Sequence, residues 1–99
     1  MNKKLPGGPA AVIEIGSSAM RMRVSQLKHG EIEMLDSLEY PVFFGHEVFT
    51  TGRISFESLR QLSSILTKFT TALDGYNCKN VRVVSSTVMR EAENRSFVI

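Results

Sequence analysis

At 99 residues the chain is the size of one domain or of one piece of a larger one, enough for a single core but not for a deep cleft between two lobes. A composition of 42% hydrophobic and 22% charged residues is that of an ordinary globular domain, and a formal net charge of +2 with scattered basic residues gives no nucleic-acid footprint. The lone cysteine, Cys78, excludes an internal disulfide, the Cys and His residues have no metal-ligand spacing, and no apolar run reaches the length of a membrane span, so a reducing, cytoplasmic setting is expected.

In chain order, residues 1–9 carry two lysines but no apolar segment after them as in a signal peptide, and Pro6-Gly7-Gly8-Pro9 breaks regular structure. They read as a mobile leader. Residues 10–15 form a first strand that runs into Glu14. Gly16-Ser17-Ser18 follows as a tight loop, with Gly16 free to take a positive φ. The next strand, 20–27, alternates apolar Met20, Met22 and Val24 with polar Arg21, Arg23 and Ser25, the period of a half-buried strand. The glycine and serine hydroxyls can bring N–H and O–H donors up to an anion beside Arg21. The same residues also make an ordinary hairpin turn with Glu14 and Arg21 as cross-strand ion-pair partners, and both readings stand at this point.

Lys28-His29-Gly30 is a turn, and a third strand starts at Glu31 with Ile32, Met34, Leu38, Tyr40 and Val42 on one parity. Leu35 and Asp36 invert that pattern, which predicts a bulge or bend there. Pro41 and Gly45 make residues 41–53 a poor strand, so a loop packed across the sheet edge is expected, with His46 a local loop histidine. A helix over residues 56–76 then starts at the N-cap Ser55 and ends at Gly75 as C′. Its core stripe is Phe56, Leu59, Leu62, Leu66, Phe69, Leu73 and Tyr76. The fourth strand, 80–86, is so continuously apolar at Val81, Val83 and Val84 that burial on both faces is expected, and a short polar helix follows at 88–95. Strand, helix, strand predicts a crossover in a mixed sheet.

The order β-β-β-α-β-α resembles the first half of a ribonuclease-H-like domain, the α/β building block of the actin-like ATPase superfamily. Two stretches narrow the match. Val12-Ile13-Glu14-Ile15-Gly16-Ser17-Ser18-Ala19-Met20-Arg21 resembles the first signature of the Ppx/GppA phosphatase family, strand-Asp-hydrophobic-Gly-Ser-Asn-Ser-x-Arg. Val81-Arg82-Val83-Val84-Ser85-Ser86-Thr87-Val88-Met89-Arg90-Glu91-Ala92-Glu93-Asn94 resembles its second, V-R-x-V-A-T-S-A-x-R-x-A-x-N. The resemblance covers residues 10–98, and the chain reads as the amino-terminal part of lobe one.

The resemblance implies a parent enzyme that hydrolyses terminal phosphoanhydride bonds of inorganic polyphosphate or the 5′-phosphate of guanosine pentaphosphate, with Mg²⁺ as cofactor. It places Gly16, Ser17 and Ser18 in the first phosphate loop, Arg21 and Arg90 beside the phosphate chain, and Glu14 at the loop's acidic, metal-linked position. Here Glu stands for the family's Asp at 14, Ser for its Asn at 18 and Ala for its second Ser at 19, which leaves the loop fewer side-chain donors. The catalytic glutamate and the second phosphate loop of the family come later in its order, so this chain alone is expected to be inactive. The alternatives are a phosphate-chain or nucleotide sensor without turnover, and another actin-like ATPase. A missing neighbour strand would expose a sheet edge and favour homo-oligomers.

Overall fold

A computed structural model describes residues 8–85. Four strands, β1 (Ala10–Ile15), β2 (Ala19–Lys28), β3 (Glu31–Pro41) and β4 (Asn80–Ser85), form one mixed sheet in the order β3-β2-β1-β4. β1 runs antiparallel to β2 and parallel to β4. Two helices, α1 (Phe44–Thr51) and α2 (Phe56–Gly75), lie between β3 and β4 and carry the chain across to the far side of β1. The expected strand-helix-strand crossover is therefore present. The polar helix expected at 88–95 lies outside the described residues.

Alternation sorts the sheet into two faces. Ala11, Ile13 and Ile15 of β1 and Met20, Met22 and Val24 of β2 are buried on one face. α2 covers that face with Leu62, Ile65, Phe69 and Leu73. Phe69 is fully buried, and its ring meets Tyr40 of β3 at 5.9 Å between centroids. Burying side chains of this size stabilises by roughly 1.5–3 kcal/mol each before ordering costs.

The expected helical stripe is confirmed at its centre and corrected at its start. Leu59, Leu66 and Tyr76 pack partly buried against the core, and Ile65 replaces Phe56 as a core residue. Phe56 is 77% exposed because it opens the first turn, where the Arg60 guanidinium lies 5.7 Å from its ring centroid. The start itself is as expected. Ser55 is the N-cap and its Oγ accepts from the Ser58 N–H at 3.0 Å. The end is not at Gly75, which stays helical. Asn77 takes the left-handed conformation at φ 54, Asn77 N–H donates to Asp74 O and Cys78 N–H donates to Leu73 O. That pair of bonds is a Schellman closure, and Asn is the residue besides glycine that tolerates its backbone.

The bulge expected at Leu35 is present, between the pairs Val24↔Asp36 and Ser25↔Met34. It sets Leu38 and Tyr40 opposite Met22 and Met20 on the helix-covered face, and turns Met34 and Ile32 opposite Ser25 and Leu27 on the other. It also brings Asp36 within reach of Tyr76, whose hydroxyl donates to Asp36 Oδ2 at 3.1 Å. That hydrogen bond, with partial burial and the Asp36 charge, raises the Tyr76 pKa above its ordinary value.

Two further expectations are corrected. Residues 41–53 are not a loop: Val42 and Phe44 are fully buried, α1 forms behind them, and Gly52 stops it at φ 76. β4 is not covered on both faces. Among the described residues it is an edge strand, with Val83 57% exposed, because only β1 flanks it. Its apolar run reads as a central strand, but no second neighbour lies among the described residues.

Candidate functional site

The Gly16-Ser17-Ser18 loop closes the β1–β2 hairpin. Gly16 N–H donates to Ala19 O at 2.9 Å. The positive φ expected of Gly16 is not used: among the described glycines only Gly30 and Gly52 have one. What requires glycine is space, since a Cβ on Gly16 would sit 2.9 Å from the Ala19 carbonyl oxygen.

The loop is held from behind by residues that close β3 and open α1. Val42 N–H donates to Ser18 O at 3.0 Å, and Gly45 N–H donates to Ser17 O at 2.8 Å. A Cβ on Gly45 would lie 2.7 Å from the Ser17 Cβ, so the helix can dock this closely only with glycine there. Both serine carbonyls are thereby committed to the protein. Among the described residues, the Ser17 and Ser18 N–H groups and hydroxyls donate to no protein acceptor. A loop that fixes its carbonyls against the protein and whose donors have no acceptor among the described residues is suited to an anion.

Arg21 stands beside the loop, on the sheet face opposite α2. The register pairs it with Glu14 on one side and Glu39 on the other. Its Nε donates to Glu39 Oε1 at 3.2 Å, and its Nη1 lies 3.8 Å from Glu14 Oε1. All three side chains are about half exposed, so these pairs add little stability, roughly 0–1 kcal/mol each. Arg21 thus keeps the cross-strand partner that its alternation allowed, and gains a second, Glu39, that the sequence reading missed. The polar parity of β3 carries that signal, since Glu39 shares it with Ser37.

Glu14, Ile15, Gly16, Arg21, Val84 and Ser85 line a recess of about 130 Å³ at the carboxyl ends of the parallel strands β1 and β4. Carboxyl ends of parallel strands are where open α/β sheets place ligands. Larger hollows, of about 410 and 500 Å³, run along α2 by Leu66 and Thr67 and by Glu57 and Arg60. Each is lined by that one helix and no charged groups converge on it from other elements, so the smaller recess is the better candidate.

Of the residues that the sequence singled out, the fold brings together Glu14, Gly16 and Arg21 around the recess, with Ser17 and Ser18 on the adjoining loop. Arg90 lies outside the described residues. His46 is exposed on α1 and does not line the recess. Glu14, which the resemblance links to a metal, borders the recess. A guanidinium already lies against its carboxylate, and among the described residues no group of three His, Cys, Asp or Glu side chains could hold a metal ion.

Glu47 of α1 supports the site from one step away. Its Oε1 accepts from the Ser55 N–H at 2.8 Å, which ties α1 to the start of α2. Partial burial pushes its carboxyl up, but hydrogen bonds from the Ser55 N–H and from the Ser55 and Ser58 hydroxyls outweigh this and hold it below its ordinary value.

Comparison with known proteins agrees with this architecture. No family model matches the chain. A putative exopolyphosphatase from Haemophilus influenzae is 27% identical over 84 residues, which cover 85% of this chain and 26% of that protein. The crystal structure of the Ppx/GppA family member of Aquifex aeolicus superposes with a TM-score of 0.86 at 24% identity, over 92% of this chain and 30% of that one. An exopolyphosphatase from Cytophaga hutchinsonii also gives 0.86, at 21% identity, over 92% of this chain and 29% of its own. The chain thus has the actin-like ATPase fold, as a partial domain that spans under a third of these relatives. The proteins it is similar to, a putative exopolyphosphatase and structures of the Ppx/GppA family, are of the kind that the two sequence signatures resemble.

Proposed function

We propose that the chain supplies the first phosphate-holding loop of a phosphatase that removes terminal phosphate from inorganic polyphosphate or from guanosine pentaphosphate. The observation that carries this reading is the loop itself, pinned by Val42 and Gly45 beside Arg21, with Ser17 and Ser18 donors that have no acceptor among the described residues. Phosphoryl transfer asks the protein chiefly for positioning and for charge stabilisation around the phosphate oxygens. Ser17 and Ser18 would supply N–H and O–H donors, and Arg21, joined by Arg90, the positive charge. A dedicated magnesium position at Glu14 is not part of this proposal.

The reading separates holding from turnover. Hydrolysis needs the phosphate chain gripped from two sides and a water aligned against the leaving group. The described residues offer one loop and one arginine. We therefore expect the 99-residue chain to bind tripolyphosphate at millimolar strength, about 4 kcal/mol, and to release no phosphate from it. Calorimetric titration with tripolyphosphate, paired with a phosphate-release assay with and without Mg²⁺, tests both halves. Binding that survives the double substitution Ser17→Pro with Arg21→Ala would refute the site. Turnover lost in Glu14→Ala would show that this chain holds catalytic machinery of its own.

A further inference from the structure

Arg21 is held by two carboxylates that do different jobs. Its Nε, at the inner edge of the guanidinium, donates to Glu39 Oε1 at 3.2 Å. Its Nη1 lies 3.8 Å from Glu14 Oε1, beyond hydrogen-bonding distance. The strands fix which side each partner occupies: Glu39 is on β3, Glu14 is on β1, and the recess lies beyond β1 toward β4. The Nε edge is therefore anchored on the side away from the recess, and the Nη end points across Glu14 toward it.

We propose that Glu39 is a positioning residue that aims Arg21 at a phosphate group in this recess, with Glu14 a loose placeholder that the phosphate displaces. The inference rests on the phosphate-loop reading above and goes beyond it by naming what orients the arginine. A guanidinium has five N–H donors in a rigid plane. One bond at Nε fixes that plane and leaves the Nη donors for a second, bidentate anion. A free Arg21 would first have to lose its rotamer freedom on binding, and Glu39 removes part of that cost beforehand. Glu14 is the group in the way: its carboxylate competes with an anion for the same Nη end but makes no hydrogen bond there that the anion must break.

The two carboxylates therefore respond in opposite directions. The probe is inorganic tripolyphosphate, titrated into the 99-residue chain and followed by ¹⁵N NMR at the Arg21 Nε–H and the Gly16–Ser18 amides. Glu39→Ala should weaken binding about fivefold, the scale of one lost orienting hydrogen bond. Glu39→Gln, whose amide oxygen can still accept from Nε, should restore most of the affinity. Glu14→Gln should tighten binding. None of the three should shift the melting temperature by more than about 4–8 °C, because exposed pairs contribute little to stability.

If Glu39 were merely a negative charge near the site, both Glu39→Ala and Glu39→Gln would tighten binding, and that result overturns the proposal. Equal affinity for the native chain and Glu39→Ala also overturns it, while leaving the phosphate loop standing if Arg21→Ala abolishes binding. A native chain whose loop amides do not respond to tripolyphosphate defeats the phosphate-loop reading and the positioning role with it.

Discussion

Two hairpin turns of the same sheet, each with one glycine, have opposite relations to the rest of the molecule. The β2–β3 turn at His29-Gly30 adopts positive φ at both residues, 55 and 80, the backbone that suits a two-residue hairpin. Nothing lies within 4 Å of where a Gly30 Cβ would be, and both residues are exposed. The β1–β2 turn at Gly16-Ser17-Ser18 has no positive φ at its glycine, is crowded at 2.9 Å, and takes two hydrogen bonds from behind. The first turn is stabilised by its own backbone and only connects strands. The second is shaped by its neighbours, and a turn whose carbonyls are fixed from outside presents its remaining donors in a fixed direction. That difference, more than the presence of Gly and Ser, marks one of the two as a candidate site.

The largest expected effect removes the ground both turns share. Phe69→Ala empties the centre of the helix–sheet contact and should cost about 3–5 kcal/mol, read as a fall in the denaturation midpoint. Both hairpins should lose amide protection together. Gly45→Val separates them. Its side chain collides with the Ser17 Cβ, so we expect a loss of about 1–3 kcal/mol together with loosening of the Gly16–Ser18 amides in hydrogen exchange, while His29 and Gly30 are unchanged. Gly30→Ala is the mirror experiment: the left-handed backbone should cost about 1–2 kcal/mol, with the tripolyphosphate affinity intact.

A smaller effect is read with pH. Because Glu47 is held below its ordinary carboxylate value, its contribution is present above the unfolded-state pKa and is lost as pH falls through the lower folded-state value. Glu47→Gln should flatten that part of the stability-versus-pH curve, at a cost of about 1 kcal/mol at neutral pH, the scale of a lost helix cap. A variant curve parallel to the native one would show that the α1–α2 tie has no such role.

Much of this was legible before any coordinates. Alternation in residues 20–27 marks the buried face, the parity break at Leu35 marks the bulge, and Ser55 marks the helix start. Each is a local rule, set by a period or a cap. The misreadings depend on contacts that no single-residue preference carries, some within a turn or two and some distant. Gly75 reads as a helix stop, yet Asn77 closes the helix because the Leu73 carbonyl and the buried Cys78 are placed for a Schellman end. Residues 44–51 read as a loop because Pro41 and Gly45 obscure a short helix whose glycine is needed for its contact with Ser17. At the site, Gly16, Ser17, Ser18 and Arg21 are visible as a pattern. Glu39 is not, because it becomes Arg21's neighbour only through β3's register, which the bulge resets.

The central claim is that the pinned hairpin holds phosphate and its look-alike does not. Both turns can be followed in one ¹⁵N-labelled sample of the chain as tripolyphosphate is added. The Ser17 and Ser18 amides and the Arg21 Nε–H should shift along one saturating curve while His29 and Gly30 stay still. Equal shifts at the two turns, or shifts at the His29-Gly30 turn alone, would contradict it.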